Sequence, residues 1–218
     1  MNAAHRIWSF LPRGIREPLA VLLILGVIAR VGIFFGTWEL YSGFAFWPTE
    51  FWRGRVWQLA TYPWLPWNIA DVIFNGFFFA LLGTRLVHEF GRGRFWIYCC
   101  VAVLGTAAMK LALTPFNRGG LVGIGGVVFA LFAAWCRLFR NEEVMLMGAW
   151  RTTMRVAMLI TAGIIVLFGL MCPCGFWNTI ATIGGGAAGW LYLAVQSRRF
   201  LERPAQPLPS DRIRRLEL

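Results

Sequence analysis

Two polar residues inside an apolar stretch, Asp71 and Asn75, are the first in this sequence to invite a chemical reading. They stand four apart and so share one face of a helix. A carboxylate at bilayer depth is costly and by default marks a function. Two roles fit: recognising a polar or positively charged residue of a partner helix, or a proton-linked change of state. The structural alternative is a place near the end of the helix, hydrated or bonded to Asn75, Asn68 or the tryptophan-rich segment before it. Cys172 and Cys174 flank Pro173, a spacing too tight for easy disulfide closure, and are expected to be a structural pair in a turn. No C-x-x-C occurs, and neither a metal nor a cofactor is expected. Nucleophilic chemistry needs a hydroxyl or thiol beside a base. The serines are 9, 42, 197 and 210 and the histidines 5 and 88. No serine lies in an apolar run after the first, and both histidines fall in basic connecting segments. A Ser–His pair at membrane depth cannot be built from these.

Any such chemistry must be held by membrane helices. Of 218 residues, 58% are hydrophobic and 14% charged, and the mean hydropathy is +0.62, more apolar surface than a soluble core needs. Apolar runs predict spans over about 19–36, 68–87, 95–113, 120–136, 154–171 and 176–196. Residues 1–17 form a basic lead and 197–218 a basic tail; the lead is no secretory signal, since the run after it is long, contains Arg30 and lacks a cleavage site. Residues 37–67 are too polar to span yet hold six of the 12 tryptophans. That density predicts a segment lying in the bilayer interface and docked on the bundle.

The net charge of +11 would suit nucleic acid, but the arginines sit between apolar runs rather than on one aromatic-bearing face, and no nucleic-acid partner is expected. They cluster in the lead, at 84–94, at 137–155 and in the tail, whereas the alternate connections hold only Arg53, Arg55 and Arg118. The positive-inside rule then places both termini in the cytoplasm, with the tryptophan-rich loop outside.

Five short motifs, in order, resemble the rhomboid family of intramembrane serine proteases over roughly residues 50–196. They are Gly54-Arg-Val-Trp-Gln-Leu-Ala-Thr61; Val72-Ile-Phe-Asn75; Gly83-Thr-Arg-Leu-Val-His-Glu89 followed by Gly93-Arg-Phe95; Val122-Gly-Ile-Gly-Gly-Val-Val-Phe-Ala-Leu131; and Ala181-Thr-Ile-Gly-Gly-Gly-Ala-Ala-Gly189. The resemblance implies an all-α, six-helix membrane bundle, N-in and C-in, with a tryptophan-rich first loop. Carried over residue by residue, the family's nucleophilic serine falls on Gly125 and its general-base histidine on Thr182. The histidine that polarises the substrate carbonyl falls on Asp71, and only the asparagine, Asn75, matches. The family's Trp-Arg pair reads Trp57-Gln58, with Trp52-Arg53 nearby. A glycine cannot attack and a threonine cannot take up a proton near neutral pH.

The expectation is therefore a catalytically degenerate rhomboid, not an enzyme, that binds transmembrane segments of client proteins in a lipid bilayer, the bacterial inner membrane for preference. Asp71, Asn75, Trp57, Gly123 and Gly126 are its candidate binding residues. Gly185 and Gly189, with the spacing that lets helices approach closely in lipid, are candidates for packing. The alternatives are a structural subunit of a larger membrane complex and a rhomboid-type peptidase with a non-standard site, using Asp71 with Thr182 or an ordered water.

Overall fold

In lipid the backbone has no water to bond, so apolar runs satisfy their own N–H and C=O groups as helices. A computed structural model describes residues 15–17, 19–21, 24, 42–116, 119–139, 142–146, 150–171 and 176–201. The short helices α1 (Pro48–Phe51) and α2 (Gln58–Thr61) and the 3-10 turn Tyr62–Trp64 belong to the tryptophan-rich loop. The long helices are α3 (Ile69–Phe90), α4 (Arg92–Leu113), α5 (Gly125–Leu138), α6 (Met154–Met171) and α7 (Phe176–Leu201). Among the described residues α3 and α4 are long and apolar enough to cross a membrane, while α5 and the 154–167 part of α6 are apolar but shorter. Most of the expected first span lies outside the described residues, as do Cys172, Cys174 and residues 202–218 of the tail, whose first residues, 197–201, continue α7 instead. The described residues of that first span, 19–21 and 24, are helical, and so are 15–17 at the end of the expected lead, where Ile15 is wholly buried.

Two departures from the expected elements have local causes. The fourth helix starts at Gly125 rather than at 120, because Leu121 is tied to Phe46 and the chain bends at Gly123 before the helix begins. Leu121 exchanges both backbone bonds with Phe46 (3.0 and 2.8 Å), and the Gly123 N–H donates to the Tyr62 carbonyl (3.0 Å). Gly123 has φ +94°, a backbone region that side chains disfavour. The 137–155 connection, expected as a plain loop, carries an antiparallel hairpin, β1 (Glu143–Leu146) with β2 (Trp150–Thr153).

α7 makes its broadest contacts with α4 and then with α5, and these three helices form the centre. Small residues set their spacing. A Cβ on Gly126 would meet the Thr106 Cβ at 2.9 Å, and one on Gly185 would meet the Gly126 carbonyl oxygen at 2.6 Å. One on Gly189 would meet the Tyr98 hydroxyl at 2.6 Å and the Ala130 Cβ at 2.8 Å. The Tyr98 hydroxyl donates to the Ala130 carbonyl, so the close approach is also hydrogen-bonded. At the far end of the bundle, here the arginine end, Gly91 alone links α3 to α4. There Arg85 holds Glu142 through both guanidinium arms, one at 2.6 Å, and lies 3.9 Å from the centre of the Phe139 ring. This hydrogen bond keeps the Glu142 carboxyl below the usual carboxylate range.

Candidate functional site

The tryptophan end of the bundle gathers the start of α3, the end of α4 and the chain leading into α5. The first turn of α7 and the tryptophan-rich loop meet them there. That loop is docked, as its length implies. Gln58 on α2 is fully buried: its side-chain carbonyl accepts from the Trp47 N–H (3.0 Å) and its amide donates to the Gly43 carbonyl (3.3 Å). The Thr61 hydroxyl donates to the Phe44 carbonyl (2.7 Å) and the Tyr62 hydroxyl to the Val103 carbonyl on α4 (2.8 Å). Burial pushes the Tyr62 phenol up from its ordinary value, so it remains a donor at any physiological pH. Outside these anchors Trp52, Trp57 and Trp67 stay more than half exposed or nearly so (61%, 50% and 56%). Trp57 therefore belongs to the outer surface of the loop, not to a site inside the bundle.

Asp71 sits in the first turn of α3, where a negative charge faces the positive end of the helix dipole. The Asn68 side chain caps the helix by accepting from the Asp71 N–H (2.7 Å). One Asp71 carboxylate oxygen accepts from the Trp67 N–H (3.1 Å) and the other from the Asn75 amide. A Cβ on Gly123 would lie 3.2 Å from Asp71 Oδ2, so the carboxylate also backs onto the chain before α5. Asp71, Asn75 and Gly123 thus form one cluster, and its acid is occupied by the Trp67 N–H and the Asn75 amide. The structural role weighed for Asp71 matches this geometry.

Gly125 and Thr182 also meet. A Cβ on Gly125 would lie 3.3 Å from Thr182 Cγ2, so α5 and α7 touch at this pair. The Thr182 hydroxyl donates to the Thr179 carbonyl of its own helix (2.6 Å). A threonine bonded back in this way has its proton already engaged. His88, by contrast, is exposed near the end of α3 at the arginine end of the bundle. Among the described residues no three His, Cys, Asp or Glu side chains come together so as to hold a metal ion. A separate apolar cavity of about 390 Å³ lies between the loop and α3, α4 and α5, lined by Leu59, Trp64, Phe79, Cys99, Val103 and Ile124. None of the candidate residues lines it.

Residues 53–199 match the model of the rhomboid domain, two thirds of the sequence. The chain belongs to the rhomboid family. It is accordingly an integral membrane protein, mostly helical, with a rhomboid domain. It is also similar to the rhomboid protease GlpG of Photorhabdus laumondii, 24% identical over 125 residues. That match covers 57% of this chain and 43% of the relative, so the chain spans less than half the length of the protease it resembles.

Three residues that hold this rhomboid site together gave little sign in the sequence. Gln58 enters only as the departure from the family's Trp-Arg pair, with nothing to mark it as buried, and Tyr62 is one aromatic among many. The sequence places Lys110 only near the end of an apolar run. It is only 1% exposed, and its ammonium donates to Asn178 Oδ1 on α7 (2.8 Å). A lone lysine among twenty arginines was the one available signal.

Proposed function

We propose that this rhomboid-family protein is a pseudoprotease that binds transmembrane segments of other proteins in the bilayer and does not cleave them. The observation that carries the reading is the Gly125–Thr182 contact. The two positions onto which the family's nucleophile and base fall touch each other across α5 and α7, and between them they offer one hydroxyl bonded to a backbone carbonyl. Removing a nucleophile and its base leaves a protease orders of magnitude slower. In this reading the chain has six spans with both termini in the cytoplasm of a bacterial inner membrane. The tryptophan end then faces outward, and Asp71 and Asn75 stabilise the mouth of the former cleft.

The test is cleavage of a fluorogenic transmembrane substrate in proteoliposomes, alongside capture of the intact segment. Binding without cleavage is expected from the natural chain. Cleavage that a serine-directed phosphonate blocks would refute the reading. A second reading, a working membrane peptidase, draws on the protease relative and requires another nucleophile, Thr182 or Asp71. Under it Thr182→Val abolishes cleavage, whereas under the first there is no cleavage to abolish.

A further inference from the structure

Lys110 carries a charge that no described carboxylate answers. The acids whose described side chains form ion pairs or hydrogen bonds are committed elsewhere: Glu50 to Arg53 and Arg55, Glu17 to Arg92, Glu142 to Arg85, and Asp71 to Trp67 and Asn75. Glu89 lies at the opposite end of the bundle. The Lys110 ammonium is instead held by a neutral amide oxygen, at the carbonyl end of α4 where the helix dipole favours a cation. The same Asn178 side chain donates its amide to the Gly120 carbonyl (3.0 Å). Gly120 in turn is pressed beneath Trp47, since a Cβ there would meet the indole at 3.0 Å. One amide group therefore joins the end of α4, the first turn of α7, the chain leading into α5 and the tryptophan-rich loop. Asn178 stands one helical turn before Thr182 and on the same face, so this junction lies directly over the Gly125–Thr182 contact.

We infer that Lys110 and Asn178 form a latch between the end of α4 and the first turn of α7, beside the mouth of the α5–α7 crevice, and that a carboxylate at the tryptophan end of an incoming helix releases it. An ammonium bonds an anionic oxygen more strongly than a neutral amide oxygen. Such a carboxylate takes Lys110 from Asn178, which frees the first turn of α7 from α4 and leaves it held at the crevice mouth by the Asn178–Gly120 bond alone. The inference rests on the proposed client binding and narrows it to one class, transmembrane helices with an acidic residue near one end.

The probe is a synthetic Leu/Ala helix of roughly 20 residues with one Asp near one end and a Lys anchor at the other, compared with its Asn twin. Binding is measured in lipid nanodiscs. The natural chain binds the Asp helix roughly tenfold more tightly, the equivalent of about 1.4 kcal/mol. Lys110→Arg keeps the preference, while Lys110→Met loses it and still binds the Asn helix. A purely structural Lys110 would not change selectivity in this way. Equal binding of both helices, or an unchanged preference in Lys110→Met, overturns the inference. If neither helix binds, client binding itself fails, and the latch is judged by hydrogen exchange without a client. Lys110→Met and Asn178→Ala then raise exchange around Thr182 above that of the lipid-facing control Leu167→Ala. No rise in either variant overturns the latch.

Discussion

Adding one methyl group at Gly126 tests the packing on which the site depends. A Cβ there falls on the Thr106 side chain, 2.9 Å from its Cβ and 3.1 Å from its Cγ2. Rotation of Thr106 cannot relieve a clash with its own Cβ, and its hydroxyl is bonded to the Ala102 carbonyl (2.8 Å). α4 and α5 must therefore separate by several tenths of an ångström along a close-packed seam. Overpacking of this kind costs about 1–3 kcal/mol; at the upper end, a chain of this size should lose roughly 6–12 °C in Tm. The assay is thermal unfolding in a mild detergent, with Gly163→Ala as control, since a Cβ at that α6 glycine meets nothing within 4 Å. The control is expected to be neutral or stabilised, by up to about 1 kcal/mol from helix propensity. Adding Thr106→Ala should recover part of the Gly126→Ala loss by removing the hydroxyl and methyl. The same addition should relieve Gly185→Ala only in part, because it removes the Thr106 hydroxyl that a Cβ there meets first but leaves the Gly126 carbonyl oxygen 2.6 Å away. Equal Tm values for Gly126→Ala and Gly163→Ala would refute the reasoning.

Other consequences are as direct. Asp71→Ala removes the acceptor of the Trp67 N–H and of the Asn75 amide, and should destabilise the start of α3 by about 1–2 kcal/mol; hydrogen exchange confined to the first turn of α3 and to Gly123 would register it. Gln58→Ala leaves the Trp47 N–H buried without its acceptor, at about 1–3 kcal/mol; faster proteolysis within 42–67 while α3–α7 stay intact is the expected readout. The Arg85 bond lowers the folded-state pKa of Glu142, so its contribution is present above the unfolded value of about 4.3 and lost as pH falls through the folded value. Exchange in the β1–β2 hairpin should rise below about pH 4, and Glu142→Gln should show the raised level throughout. Gly125→Ser with Thr182→His asks whether the crevice still accepts a dyad. On the pseudoprotease reading the double variant gains phosphonate-sensitive cleavage, and an inert, correctly folded variant would show that the groups cannot be aligned.

Composition and order along the chain determined a great deal. Long apolar runs force helices wherever water is excluded, so the helices at 69–90, 92–113, 154–171 and 176–201 lie close to their predicted places. The glycine-rich segments around 125 and 185 announced close helix contacts, because only small residues permit them in lipid. Motif order was enough to imply the rhomboid family, since each motif sits at the end or centre of a recognisable run. What those symbols could not convey was which groups satisfy one another. The non-helical chain at 121–123 exists only because Phe46 and Tyr62, some sixty to seventy-five residues earlier, supply its backbone partners. Asp71 looked like a lone intramembrane acid and proved to be bonded within the capped first turn of α3, because Asn68 accepts from its N–H while Trp67 and Asn75 donate to its carboxylate. Lys110 could be placed by sequence only near the end of its run, and it is buried because α7 returns antiparallel along α4 and brings Asn178 to it. Periodicity is a property of neighbours along the chain and survives in the sequence. The pairing of buried polar groups is a property of neighbours in space, and only the packed bundle decides it.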